Sequence, residues 1–194
     1  MRTLLAVVQR PLALAAIAVS IGGPPAAALD PKSTHVVIVV DDSRPESMSA
    51  TNRNAKRLLA TAATTLIGKG FTVSIAPTSE PAARVAQPSK PVREFAAGLK
   101  ARNVVFITLE LSATAKPTGA APAGMETAYS VRMSALDGTT ARFLGKEEIS
   151  GVLADIAPDC AKEASCLLEK VGEGMTPVIA ARSTSLADRL VAMK

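Results

Sequence analysis

The residues best placed for chemistry are Asp41, Asp42 and Ser43, which follow an unbroken apolar run from Val36 to Val40. A carboxylate at the C-terminal end of a first parallel strand is where α/β folds often hold ligands. Phosphoryl receivers and metal-dependent hydrolases both use that position. Both also need a second acidic cluster, and a Lys or Thr at the end of a later strand. Here Thr108 and Glu110 fall inside a later strand-like run, and no later run ends in an acid pair. A Mg²⁺ or Ca²⁺ site would draw on Asp41, Ser43 and Ser47. Its spacing departs from the Asp-x-Ser-x-Ser of adhesion-type sites, because Pro45 takes the last position. The competing reading is a polar loop after a buried strand, with Ser or Asp capping the next helix. Asp41, Asp42 and Ser43 therefore stand as an alternative site for a metal-binding protein or enzyme. The sequence points to no catalytic residue and no cofactor.

A second chemical feature is the basic trio Arg53, Lys56 and Arg57. Spaced i, i+3, i+4, they share one face of a helix. They lie in its first turns, where cations oppose the helix dipole. An anionic partner would relieve that opposition. Neutralisation within the chain by Asp41, Asp42 or Glu46 is the plainer alternative. His35 is the only histidine, so no His-rich metal site is available. No Gly-x-Ser-x-Gly elbow accompanies the serines. With no Trp and only Tyr129, aromatic platforms for sugars or bases are scarce.

The compartment follows from the first residues. Arg2 and Arg10 precede a short apolar run, then Gly22, Gly23, Pro24 and Pro25, then Ala26 to Ala28. That is the pattern of a secretory leader with an A-x-A cleavage site, and cleavage is expected after Ala28. No Cys follows the apolar run and no Arg pair precedes it, so the general secretory route is the simpler one. The expected location is periplasmic or secreted, with no membrane span once the leader is removed. The whole chain carries 22 basic and 17 acidic side chains. Ten of the basic ones lie within residues 43–102, against only Glu46, Glu80 and Glu94. In an exported protein, such a surface suits an envelope protein or an anionic envelope component better than nucleic acid. Cys160 and Cys166 form an even pair, which in this compartment reads as one disulfide. Within one regular helix they would stand about 9 Å apart along the axis, beyond the span of roughly 4.4–6.8 Å that a disulfide tolerates. Cys160 is therefore expected in the turn before a helix and Cys166 in its first turns, as a structural staple.

The elements that must position these groups read in order. His35 to Val40 is a strand buried on both faces. Ala55, Leu58, Leu59, Ala62, Leu66 and Ile67 form one helical face, with Ser49 or Thr51 as cap and Gly68 or Gly70 as stop. Phe71, Val73 and Ile75 alternate as a second strand. A short helix begins at Pro91, and Val104 to Leu111 is a third strand. Residues 112–128, rich in small residues, Pro and Gly, read as a flexible loop. Asp137-Gly138 marks a hairpin between Tyr129–Leu136 and Thr139–Leu144. The tail is helical, and Gly172, Gly174 and Pro177 are expected to break it in two. The fold class is α/β (α+β): a single domain over 29–194, a mixed sheet with helices packed on it, in the order β-α-β-α-β-β-β-α.

VVIVV as first strand, the helix closing in GKGFTVSIA, the run ARNVVFITLELS and the hairpin YSVRMSALDGTTARFLG carry a resemblance. Over about residues 35–194 the chain resembles a periplasmic α/β domain. The group includes the curli-secretion lipoprotein, the lipoprotein activator of penicillin-binding proteins and the N-terminal domain of the Tol-system propeller protein. It departs from them in lacking a lipobox Cys, a propeller and a secretion-pore segment. The resemblance implies a non-catalytic envelope domain that binds a partner.

Overall fold

The computed structural model describes residues 28–44, 47–49, 51–80, 88–99, 101–117, 125–156 and 164–193. Its elements are β1 (Thr34–Asp41), α1 (Arg53–Gly68), β2 (Thr72–Ile75), α2 (Lys90–Gly98), β3 (Asn103–Pro117), β4 (Met125–Asp137), β5 (Phe143–Ile156) and α3 (Ala164–Ala192). The strands form one sheet in the order β2-β1-β3-β4-β5. β1 pairs in parallel with both β2 and β3, while β3–β4 and β4–β5 are antiparallel. The mixed sheet and the element order match the sequence reading.

The two sheet faces are covered unequally. Val36, Ile38 and Val40 of β1 point to one face, with Ile107 and Leu109 of β3 and Met133 of β4. There α1 and α3 bury them under Leu58, Leu66, Met175, Ile179 and Leu186. Val37, Val39 and Phe106 point to the other face, where, among the described residues, the short α2 covers them, mainly through Val92. β1 is thus apolar on both sides because both sides are roofed. Asn52 caps α1, its side-chain oxygen accepting the Asn54 N–H at 2.8 Å and the Ala55 N–H at 3.4 Å. The expected caps Ser49 and Thr51 instead bond each other at 2.8 Å. α1 stops where Gly70 takes a φ of 92°, in the left-handed region that glycine enters without steric cost.

Three expectations are corrected. First, 112–128 is strand at both ends. β3 runs on to Pro117 and β4 starts at Met125, in register from Ser112↔Ser130 to Pro117↔Met125. Ladder hydrogen bonds to a neighbour outweigh the weak strand preference of the small residues there. Residues 118–124 lie outside the described residues. Second, the last strand is not 139–144 but Phe143–Ile156. The turn is a longer loop in which Asp137 Oδ1 accepts the N–H groups of Thr139 and Thr140, at 2.9 and 2.7 Å. Third, α3 is one continuous helix through Gly172, Gly174 and Pro177. The glycines serve close approach: a Cβ on Gly172 would meet Asn54 Oδ1 at 2.7 Å, and one on Gly174 would meet Leu153 at 2.5 Å. Pro177 and Glu173, whose carbonyl loses its donor, are both exposed on the wet side.

Gly138 and Gly68 separate packing from propensity. A Cβ on Gly138 would meet the Val104 carbonyl oxygen at 2.8 Å, whereas Gly68 has nothing within 4 Å. Gly138→Ala must shift a backbone and should cost about 1–3 kcal/mol. Gly68→Ala, at the last turn of α1, should stabilise by about 0.5–1 kcal/mol. Urea melts of the two variants check both signs.

Candidate functional site

The strand-end carboxylate is built into the fold. Asp41 is buried, and its Oδ1 accepts the Ser43 N–H at 3.0 Å, turning the chain out of β1. Asp42 and Ser43 are exposed. Asp41 lies in register with Glu110 on the neighbouring strand, on the same sheet face. Glu110 is engaged by Arg44 Nε at 3.2 Å and by Arg132 NH1 at 2.9 Å. Ser47 does not turn back to Asp41. It bridges to Ser112, and the Met48 N–H donates to the Leu111 carbonyl at 2.7 Å. Among the described residues no group of three or more His, Cys, Asp or Glu is placed to hold a metal ion. Nearby, buried Glu80 accepts the Ser89 N–H at 3.0 Å, at the N-terminus of α2, and so fixes where that helix begins.

The basic trio is arranged differently. Arg53, Lys56 and Arg57 are all exposed on α1, while Asn54, Ala55, Leu58 and Leu59 face inward. No ion pair ties the three to a carboxylate among the described residues. Neither Asp41 nor Asp42 is paired with them, and Glu46 lies outside the described residues. On the neighbouring α3, Lys170 pairs with Glu173 at 2.7 Å. That hydrogen bond, with a smaller contribution from Arg57, holds the Glu173 carboxyl below its ordinary value. Lys170 is thus compensated by Glu173, and the exposed positive charge at this end of the helical layer is that of the trio.

Sequence reasoning missed two charge clusters because both depend on β5. On the inner face, buried Glu147 takes Arg189 NH2 at 2.7 Å and Arg182 NH1 at 3.5 Å from α3. On the outer face, a ladder alternates in sign: Arg44, Glu110, Arg132, Glu148, Lys146. The run Lys146-Glu147-Glu148 was the available signal, since a strand sends its middle member to the opposite face. His35 sits at a strand start as expected, its Nε2 2.8 Å from Ser74 Oγ; burial pushes its pKa down. Cys166 lies in the first turn of α3 and is not a free thiol. Cys160 lies outside the described residues, so the pairing itself is not described.

Comparison with known proteins gives fold likeness only. No protein-family model matches the chain, and no curated protein matches it. Solved structures similar to it include the PelC dodecamer from Paraburkholderia phytofirmans, 15% identical over 88% of this chain and 96% of that one, with a TM-score of 0.47. A minor lipoprotein from Acinetobacter baumannii is 7% identical over 77% and 94% of the two chains, with a TM-score of 0.42. Lipoprotein GNA1162 from Neisseria meningitidis is 16% identical over 77% and 99%, with a TM-score of 0.35. No helix among the described residues is long and apolar enough to cross a membrane.

The ladder makes a sharp titration expectation. Hydrogen bonds from Arg132 and then Lys146 hold the Glu148 carboxyl at about 2. Its folded value lies below the unfolded value of about 4.3. Its contribution to stability is therefore complete above that unfolded value and is lost as pH falls towards 2. Carboxyl-carbon NMR titration should find Glu148 still ionised at pH 3, and Arg132→Met should raise its midpoint, with the remaining Lys146 partner still holding it below the unfolded value.

Proposed function

We propose that the chain is an exported, non-catalytic accessory protein of the cell envelope that recognises an acidic partner through the basic start of α1. In this reading the leader ends at Ala28, the protein leaves by the general secretory route, and residues 29–194 act as one α/β domain. The resemblance to the envelope group that contains the curli-secretion lipoprotein and the penicillin-binding-protein activator points the same way. A Cys160–Cys166 disulfide would suit that oxidising compartment.

The observation that carries the reading is the exposed row Arg53, Lys56 and Arg57. Cations in a first helical turn are disfavoured by the dipole. Helix sequences usually offset this with acids, yet α1 has no acidic residue in its first turn. The buried carboxylates meanwhile have partners inside the chain, Asp41 on Ser43, Glu80 on Ser89, and Glu110 and Glu147 each on two arginines. Apart from Glu173 near Arg57, the basic row is left to an outside anion, either an acidic protein face or an anionic envelope component.

The test is capture from envelope extracts on the immobilised protein. The partner should elute as salt rises from about 0.1 to 0.5 M, because exposed charge pairs are screened over that range. Triple reversal, R53E with K56E and R57E, should reduce capture about tenfold or more with the circular dichroism spectrum unchanged. Undiminished capture by the folded triple variant would exclude this face.

A further inference from the structure

The first described residues are built into the fold. Leu29 packs against the core that α1 and α3 share. Its backbone N–H donates to the Leu190 carbonyl at 3.3 Å. Asp30 then organises a single turn. Its carboxylate accepts the Lys32 N–H at 3.1 Å, and its carbonyl accepts the Thr34 hydroxyl at 2.7 Å and the Ser33 N–H at 3.2 Å. The chain is therefore fixed from Leu29 onward, one residue past the proposed cleavage point.

Leu190 belongs to the last turn of α3. Carbonyls there have no donor within the helix, and they form the negative end of its dipole. Ala28 is exposed and, with Leu29, Asp30, Asp137 and Arg142, lines an open depression of about 300 Å³. Among the described residues, the charges facing this place are the Asp30 and Asp137 carboxylates and the Arg142 guanidinium. On α3 the nearby Asp188 and Arg189 are engaged by Lys69 and Glu147. The depression gives a charged group at Leu29 room to keep water while it meets the helix end.

We propose that the carbonyl end of α3 is the seat of the α-ammonium group released at Leu29 when the leader is removed. The inference rests on the leader reading above. Hydrolysis adds water across the Ala28–Leu29 peptide bond. The hydroxyl goes to the Ala28 carbonyl carbon and a proton to the Leu29 nitrogen, which takes up a second proton at neutral pH. One amide donor becomes an ammonium with three, and the contact to Leu190 becomes charge-assisted. Removal of the leader then adds stability to the fold as well as releasing it.

The test compares two chains with defined starts, one beginning at Leu29 and one retaining Ala26-Ala27-Ala28. An unfolded α-amino group titrates near 7.7–8.0, and the helix end raises that value in the folded state. The gain is therefore complete below about pH 7.7 and is lost as pH rises through the folded value. At pH 6.5 the chain starting at Leu29 should melt about 2–4 °C higher, and by pH 9.5 the gap should close. Equal melting at both pH values, or a gap that does not change with pH, overturns the seat. Intact-mass measurement on the exported protein tests the leader separately. A mass that places the start elsewhere overturns the leader reading, while the melts still judge the seat.

Discussion

A buried carboxylate on an edge strand governs how this molecule is assembled. Glu147 points inward from β5, beneath α3, with only 6% of its side chain exposed. An unpaired charge in that position would cost several kcal/mol. Arg182 and Arg189, two helical turns apart on α3, reach it while keeping 35% and 53% of their side chains in contact with solvent. Long cationic stems of this kind bury their methylenes and leave their heads wet. The three-residue cluster sets where α3 lies along the sheet. It acts together with the apolar side chains Met175, Ile179, Leu186 and Leu190 that α3 buries on the same sheet face. The far end of α3 meets the start of α1, where Gly172 admits Asn54. Its near end brings Asp188 to Lys69 at 2.6 Å and Leu190 to Leu29.

The same helix leaves a second condition to be met. Among the described residues, α1 and α3 pack on one sheet face from β1 to β5, while α2 packs on the other over β1 and the start of β3. Where that outer face is roofed it is apolar, as at Val37, Val39 and Phe106. Where it is open, it carries Glu110, Arg132, Glu148 and Lys146. An exposed edge strand as long as β5 invites pairing with other chains, and charges along it oppose that. The alternating ladder therefore does two jobs. It makes an uncovered sheet face soluble, and its cross-strand pairs add to the β3–β4–β5 register already fixed by the backbone.

Much of this was legible in the sequence where burial is strong and regular. The β1 run, the 3.6-residue period of α1 as far as Leu66 and the Pro-led α2 are strong patterns because each packs apolar groups on a fixed face, whereas Ile67 of α1 and Ile75 of β2, expected on buried faces, are exposed. β5 was missed because its inward positions are Gly145, Glu147, Ile149, Gly151 and Leu153, a mixture with no apolar alternation. Its inner face is supplied instead by the stems of Arg182 and Arg189 and by Tyr129. The continuity of α3 was hidden for a related reason. Gly172 and Gly174 look like breakers in one dimension, but in three they are points of contact with Asn54 and Leu153. The exposure of Arg53, Lys56 and Arg57 could be read from helical phase alone. The burial of Asp41 beside Glu110 could not, because it depends on the β1–β3 register.

This division bears on what kind of function the chain can host. A carboxylate that is to act as general acid or base must offer a substrate an oxygen within hydrogen-bond reach. Asp41, Glu80, Glu110 and Glu147 each spend oxygens on the protein: turning the chain after β1, starting α2, joining β3 to β4, and seating α3. Changing any of them to suit a substrate would disturb an element boundary. The cations on α1 carry no such duty, since the helix is capped by Asn52 and packed by Leu58, Leu59 and Leu66 without them. Arg53, Lys56 and Arg57 oppose the local dipole, share one exposed face and hold no element in place, which is why the proposed recognition rests on them. Substitutions there leave the packing of Leu58, Leu59 and Leu66 behind them untouched.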